Sequence, residues 1–544
     1  MASLGRAGAV MFAFLTFAAS ASAASCPRGA TCGRVTVPLD HSGATPGTLS
    51  IAYARLPATD TRAGTLVLLS GGPGQAAIPL TRQFAALVEP LRATYDLVTV
   101  DQRGTGASGA VSCRFDLPIA DCAAKLGARR ALFNTPETAE DLDDLRRALG
   151  VEKLTPLGVS YGAAVAGEYA RRHPEHTAAV VLDSPVPVDG LDGTGVLRAA
   201  ALPRVLREIC FPGACHATVP DPAQALARAI KRGSAPQGVL YDVIAISDRI
   251  PGLRAGLPAA IASLSHGDTR PLAHLVQLFG ASETARVNTA RLLATDCIES
   301  LLPWAPDSPV ASRSLSMVDA AALAPFSTAA VLRSAPAGTC IDWPPTPRPQ
   351  LAPSAGPNVP VLVISGREDL RTPLESARRT AAQYPNATLL AVPGAGHSVL
   401  RTSACARTAL ASFLHGGPVA PCRRGAGELR AAPYAPRTLS ALRPTRLTGL
   451  RGRVFSAVTV TLTGVGYDSL AGRLRFPGLR GGYVRVRGTR QLELHGVSWI
   501  EGVHVSGTIS SRGHAVLSVA GPVSGVVRYS RGRVSGVLGG RSFG

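Results

Sequence analysis

The sequence predicts an α/β fold, a mostly parallel sheet with helices on both faces, and three observations support it. Between positions 35 and 183, short β-branched apolar runs alternate with segments of helical spacing. Gly158-Val159-Ser160-Tyr161-Gly162 stands between one such run and an Ala-rich helical pattern. Two later apolar runs, 359–365 and 387–392, each lead into a loop carrying one reactive side chain, Asp369 and His397.

Residues 1–23 hold one early charge, Arg6, an apolar run over 9–19 and the small-x-small signature Ala21-Ser22-Ala23, the pattern of a secretory signal peptide. The run is shorter than the roughly 20 residues that span a bilayer. Ala23-Ala24-Ser25 makes a poor acylation signal before Cys26, which leaves that cysteine for a disulfide. Export makes disulfides the default for all ten cysteines. They fall in close successive pairs, Cys26 with Cys32, Cys113 with Cys122, Cys210 with Cys215, Cys297 with Cys340 and Cys405 with Cys422. Neighbour pairing is the expectation, although spacing by itself allows other connectivities. None of the pairs has zinc-finger spacing, and no metal or cofactor is expected. The expected location is secreted or associated with the cell surface, with no transmembrane segment.

The runs 65–70, 97–100, 154–157 and 178–182 are expected strands, and 81–91, 138–149 and 163–172 expected helices, the last stopping at His173-Pro174. In open α/β sheets the working loops lie beyond the carboxyl ends of the strands. The first such loop, Ser70-Gly71-Gly72-Pro73-Gly74, lets backbone amides face a ligand, so Gly72 and Tyr161 are the expected oxyanion-hole residues. In the second, Asp101-Gln102-Arg103-Gly104-Thr105-Gly106, buried charge must be paired, and Asp101 and Arg103 read as scaffold. The sharp strand-to-helix turn at Ser160 tolerates only small neighbours and lifts the hydroxyl clear of the sheet, which makes Ser160 the expected nucleophile. Asp369 follows a strand and precedes Pro373, which suits a first helical turn, and His397 sits in a Gly-rich loop after the last strand. Ser160, Asp369 and His397, in that order and each after a strand, form the triad order of an α/β-hydrolase.

Together, Ser70-Gly71-Gly72-Pro73-Gly74, Asp101-Gln102-Arg103-Gly104-x-Gly106-x-Ser108, Gly158-x-Ser160-Tyr161-Gly162, Asp369-x-x-Thr372-Pro373 and Gly396-His397 resemble the prolyl iminopeptidase and tripeptidyl aminopeptidase group of α/β-hydrolases. Within that group the chain is most similar to secreted actinobacterial tripeptidyl-aminopeptidase-like enzymes. The resemblance runs from about Cys32 to Cys422, and Ser70 departs from it, standing where prolyl iminopeptidases carry His. It implies a serine exopeptidase that acts on peptide substrates, releasing tripeptides, other short peptides or single residues from free N-termini through an acyl-enzyme. The elbow does not separate amide from ester hydrolysis, so a secreted esterase or lipase of the same fold is the alternative. A complete triad argues against a third reading, an idle wall-binding module.

Residues 24–188 and 359–422 are the expected hydrolase core. Between them, 189–358 is rich in Ala, Leu and Pro, and its helical patterns at 221–231, 254–263, 271–279 and 281–293 predict a helical cap over the site. Within it Ala294-Thr295-Asp296-Cys297-Ile298-Glu299 resembles a Cys-x-acid segment of the tripeptidyl aminopeptidase relatives. An exopeptidase must hold a charged α-amino group, which makes Glu299 the first candidate for that carboxylate and Asp296 the second. A helix acid facing water is the competing reading.

Composition changes at position 423. From there to 544 stand nineteen Arg, no Lys and four acids, which is +15 of the chain's +20. Alternating segments at 457–462, 483–486, 515–519 and 523–529 predict a small C-terminal all-β domain, and Val-Ser-Gly recurs at Val505, Val523 and Val534. Excess Arg suits an anionic partner such as a cell-wall polymer; nucleic acid is disfavoured because aromatic residues hardly interleave with the Arg.

Overall fold

A computed structural model describes residues 26–544 except 114–117, 188–189, 211–214, 216–217, 280–286, 316–317, 354, 425–429, 433 and 489–490. The signal-peptide reading of 1–23 and the start of the helix expected over 281–293 therefore lie outside the described residues. Eight strands, β1 (Thr31–Pro38), β2 (Thr48–Leu56), β3 (Gly64–Leu69), β4 (Tyr95–Val100), β5 (Thr155–Val159), β6 (Val180–Asp183), β7 (Val361–Gly366) and β8 (Ala387–Val392), form one sheet in the order β1-β2-β4-β3-β5-β6-β7-β8. The first two are antiparallel additions at one edge, and β3 to β8 run parallel. Central strands read as unbroken apolar runs because both faces are buried.

Helices α1 (Thr81–Leu87), α2 (Ile119–Leu126), α3 (Thr135–Ala148) and α4 (Tyr161–Arg172) belong to the first half of this core. The helix expected over 81–91 stops early, since Pro90 cannot continue it and a 3₁₀ turn takes over at Glu89–Leu91. The insertion is helical as expected: α5 (Val196–Cys210), α6 (Pro222–Arg232), α7 (Gln237–Ser247), α8 (Pro251–Ser265), α9 (Arg270–Phe279), α10 (Thr289–Glu299), α11 (Thr328–Leu332) and α12 (Pro336–Cys340). Four of these, α5, α7, α11 and α12, gave no sequence signal; the last two are single short turns, and the first two have physical reasons of their own. Pro203 interrupts the pattern of α5, and α7 is apolar nearly all round, which erases its periodicity. The core is completed by α13 (Leu374–Ala382), α14 (Val399–Thr402) and α15 (Ala404–Leu414). Every cysteine joins its expected neighbour, with Cα separations from 5.2 to 5.9 Å. No helix among the described residues is long and apolar enough to cross a membrane.

Past the core, α16 (Gly449–Ser469) precedes β9 (Arg475–Pro477), β10 (Gly481–Arg487), β11 (Gln491–Ser498), β12 (His504–Ser510), β13 (Ala515–Ala520), β14 (Gly525–Ser530), β15 (Arg533–Leu538) and β16 (Arg541–Phe543). These strands pair in sequence order as an all-antiparallel meander, separate from the first sheet. Three of the four expected strands fall in β10, β13 and β14. The fourth, 457–462, is corrected: it lies inside α16. Its Val/Thr alternation imitates a strand, but the buried residues Val454, Val458, Thr461, Val465 and Asp468 repeat at helical spacing. Tertiary burial overrides β propensity here, and the Thr459, Thr461 and Thr463 hydroxyls donate to carbonyls four residues back.

One continuous apolar core contains both cap residues, such as Leu253, Leu257 and Leu275, and C-terminal residues, such as Val458, Trp499 and Leu517. Polar contacts cross the same seam. The buried His274 ring pairs with Asp468 at 2.6 Å, Arg480 with Asp268 at 2.5 Å, and the Ala432 N–H donates to Ala255 O at 2.8 Å. Ending the chain at Cys422 is therefore expected to lower the melting temperature and expose cap helices α8 and α9 to protease; a truncated chain with unchanged melting would show the seam to be dispensable. Replacing both Cys297 and Cys340 by Ala, which frees α10 from α12, should cost about 2–4 kcal/mol in denaturant unfolding.

Candidate active site

Ser160 sits at the turn between β5 and α4 with φ 59° and ψ −121°, a backbone conformation that few side chains tolerate. The flanking glycines are required by close approach. A Cβ on Gly158 would lie 2.0 Å from Gly162 O, and one on Gly162 would lie 2.4 Å from Leu69 O. Gly71 also packs closely on Ser160, since its Cβ would fall 2.8 Å from Ser160 Cβ. The loop proposed for the oxyanion hole thus lies against Ser160, with Gly72 next in the chain at φ 114°.

Beneath that loop the buried charges form a scaffold, as expected. Buried Asp101 accepts from the Ala77, Ile78 and Ala107 N–H groups at 2.8–2.9 Å. Arg103, also buried, pairs with Asp141 at 2.7 Å and Glu137 at 3.0 Å. Gln102 Nε2 donates to Ser70 O at 2.8 Å, and the Ser70 hydroxyl donates to Gln75 O, which holds the loop from within.

His397 and Asp369 are brought together, Nδ1 to Oδ2 at 2.9 Å, both buried. Burial pushes the Asp369 carboxyl up, but the His397 charge and hydrogen bond and the Thr372 donors outweigh it and hold the group below the usual carboxylate range. Among the described residues the Ser160 hydroxyl makes no hydrogen bond, so its link to His397 belongs to the proposal below; such bonds often tighten only with substrate. Two helpers went unread in the sequence. Thr372 Oγ1 lies 2.9 Å from Asp369 Oδ2, 3.0 Å from Ser184 O and 3.2 Å from His397 Nδ1. Asp183, at the end of β6, accepts from the Val399 and Leu400 N–H groups at 2.9 and 3.0 Å and so fixes the chain just after His397. The signal for Thr372 was its place in Asp369-x-x-Thr372-Pro373; for Asp183 it was a lone acid ending an apolar strand.

The two cap acids differ in their surroundings. Glu299 is buried, and both its oxygens are taken: Thr135 donates from N–H to Oε1 and from Oγ1 to Oε2, each at 2.6 Å. Tyr161 OH donates in turn to Thr135 Oγ1 at 2.8 Å, and Arg291 donates to Tyr161 OH at 2.9 Å. Burial raises the Glu299 carboxyl, opposed by the Thr135 bonds and Arg291. This chain braces α10 against α3 and the elbow. Asp296, one turn back on α10, lines a cavity of about 300 Å³ together with Thr289, Leu292, Leu293 and Thr339. Its Oδ1 is enclosed and has no hydrogen-bond partner among the described residues. Burial, reinforced by the Glu299 charge and opposed by Arg291, pushes its carboxyl up to about 8.

This fold and site define the class. A model of the α/β hydrolase fold matches residues 64–208, and one of TAP-like proteins matches 324–422. The chain has the α/β-hydrolase fold, and its second match is to TAP-like proteins. It is similar to Serine protease Hip1 of Mycobacterium tuberculosis, 28% identical over 463 residues that cover 73% of this chain and 87% of that protein. It is also similar to a tripeptidyl aminopeptidase of Streptomyces lividans, 32% identical over 194 residues, covering 29% of this chain and 36% of that one. Carboxylesterase B of Mycobacterium tuberculosis is 27% identical over 470 residues, 75% of this chain and 87% of that one.

Because a Cβ at position 158 meets backbone rather than a movable side chain, Gly158→Ala is expected to destabilise the fold by about 2 kcal/mol or more and to abolish activity, read by thermal melting and by turnover.

Proposed function

We propose that this chain is an exported serine exopeptidase that releases short peptides, tripeptides foremost, from free N-termini through an acyl-enzyme on Ser160. His397 takes the Ser160 proton and later protonates the leaving amine. Asp369 holds the imidazole tautomer and stabilises the imidazolium, and the Gly72 and Tyr161 amides receive the oxyanion. The relatives' printed names, a serine protease and a tripeptidyl aminopeptidase, support peptide hydrolysis.

One observation carries the exopeptidase reading: a carboxylate oxygen of Asp296, enclosed and unpartnered, in a cavity along α10. A substrate ammonium is the partner such a group lacks. This reverses the order of the two candidate acids, with Asp296 as the anchor and Glu299 as its brace. The Thr289 end of α10 borders the oxyanion loop, since Asn288 N–H donates to Gly74 O at 2.8 Å. From Thr289 to Asp296 the helix rises about 10 Å at ~1.5 Å per residue, the length of about three residues of extended peptide at ~3.3 Å each. That span supports tripeptide release. A similarity of equal extent to a protein named as a carboxylesterase keeps an esterase as the second reading.

Ser160→Ala should leave the fold intact and abolish both turnover and labelling by a fluorophosphonate; undiminished turnover would remove the nucleophile assignment. Asp296→Asn should lower kcat/KM for free-amino peptides by about 2–5 kcal/mol and leave N-acetylated peptides and esters nearly unchanged. Glu299→Gln should instead lower stability and affect all substrates alike. Efficient cleavage of blocked substrates by the wild type would favour the esterase or an endopeptidase.

The pH dependence follows from the Asp296 shift. Below about 8 the empty site holds Asp296 protonated, while an ammonium selects the ionised carboxylate. KM for free-amino peptides should fall as pH rises toward 8, then rise as the substrate α-amino group, about 7.7–8.0 when free, loses its charge. Esters without an amino group should show neither limb in KM.

A further inference from the structure

Where α7 gives way to α8, the chain passes through Asp248, and this junction touches both loops that carry Asp369 and His397. The Asp248 carbonyl accepts from the His397 N–H at 3.0 Å and from Arg254 at 2.9 Å. Arg254 also donates to Gly394 O at 3.0 Å and pairs with Glu368 at 2.8 Å. The carboxylate of Asp248 is buried, and among the described residues neither of its oxygens accepts a hydrogen bond. The Nε of Arg371 lies 3.5 Å away. A carboxylate oxygen of Asp248, one of Asp369 and a ring nitrogen of His397 all lie within 4.8 Å of one another.

A carboxylate withdrawn from water without hydrogen bonds is costly, and at the C-terminal end of α7 it also sits at the unfavourable end of the helix dipole. Solvation, hydrogen bonding and the helix do not offset that cost; what stands beside the carboxylate is Arg371, an ion pair at 3.5 Å, and the His397 ring. We infer that Asp248 is a positioning residue supplied by the cap, a second negative charge beside the His397 ring that stabilises the imidazolium formed when the Ser160 proton is taken. This rests on the triad proposed above. The balance of the step is unchanged, since the proton moves from Ser160 Oγ to His397 and no bond to Asp248 forms or breaks. The charge is present at the ring only while the α7–α8 junction is seated, so the cap contributes to the chemistry as well as covering it. The ionisable groups packed around the pair are Asp369 and Arg371 of the acid loop, Asp183 of β6, Arg254 of α8 with its partner Glu368, and Arg198 of α5.

Asp248→Asn tests this, because Asn preserves the shape and the backbone carbonyl and removes only the charge. On the full chain, a free-amino tripeptide anilide and a short-chain ester are assayed across pH. Losing a nearby negative charge makes the imidazolium easier to deprotonate, so the acid limb of kcat/KM should move about one unit to lower pH, with kcat falling about tenfold on both substrates and KM little changed. Asp248→Glu keeps the charge and should hold the limb near its wild-type position, which preserves the test where the Asn variant does not fold. An unmoved limb in folded Asp248→Asn, a limb displaced equally by Glu, or a rise in KM confined to free-amino peptides overturns the inference; the last would make Asp248 a substrate anchor. Wild-type protein without Ser160-dependent turnover would instead overturn the triad itself.

Discussion

The end of β6 is the constraint on which the site depends. Within two residues, Asp183 and Ser184, the chain touches all three loops that bear the proposed triad. Asp183 O accepts from the Ser160 N–H at 2.9 Å, Ser184 O accepts from Thr372 Oγ1, and the Ser184 hydroxyl accepts from the Ser398 N–H at 3.0 Å. The Asp183 carboxylate then caps the short helix that follows His397. Ser160, Asp369 and His397 are thus all referenced to one buried strand end, and the last two also to each other, so their spacing is set before any substrate arrives. The cost is a carboxyl withdrawn from water. Burial raises it, and the Leu400, Val399 and Ser184 donors oppose that rise.

Buried acids in this protein divide by how fully they are bonded. Asp101, Asp183, Asp369 and Glu299 each accept two or more hydrogen bonds from fixed donors, the condition under which a buried charge supports structure. Asp248 and Asp296 do not, and both belong to the cap segment. Both also lie where a charge would matter to the reaction, one beside the imidazole and the other in the cavity along α10. Incomplete bonding, more than burial, is what marks them.

The cap is joined to the rest of the molecule on two sides. Glu368, beside the acid loop, receives Arg254 from α8 at 2.8 Å and Arg424 from the start of the C-terminal region at 2.5 Å. The C-terminal meander and α16 share an apolar core with α8 and α9, so the Arg-rich region supports the cap that in turn supports the acid and base loops. Its high charge is compatible with this because the meander has two faces. Val484, Leu494, Leu517 and Val527 point into the core, while Arg485, Glu493, Val516 and Arg528 occupy the alternate positions.

By itself the sequence determined what depends on local chemistry. The six parallel strands, the elbow glycines, the order of Ser160, Asp369 and His397, and the disulfide neighbours were legible, because strand periodicity, steric tolerance at a turn and short loop spacing act over a few residues; the antiparallel β1 and β2 were not. The helical character of α5, α7 and α16 was not. An internal proline, uniform apolarity and Val/Thr alternation each masked the period, and only burial against distant elements chose the helix. The same holds for the site. A carboxylate's type can be read from its letter, but its role depends on which donors reach it. Glu299 and Asp296 lie three positions apart on α10, yet Thr135, far away in sequence, saturates one and leaves the other bare. Only the tertiary structure could make that distinction, since hydrogen bonding and desolvation are properties of the surroundings and not of the residue.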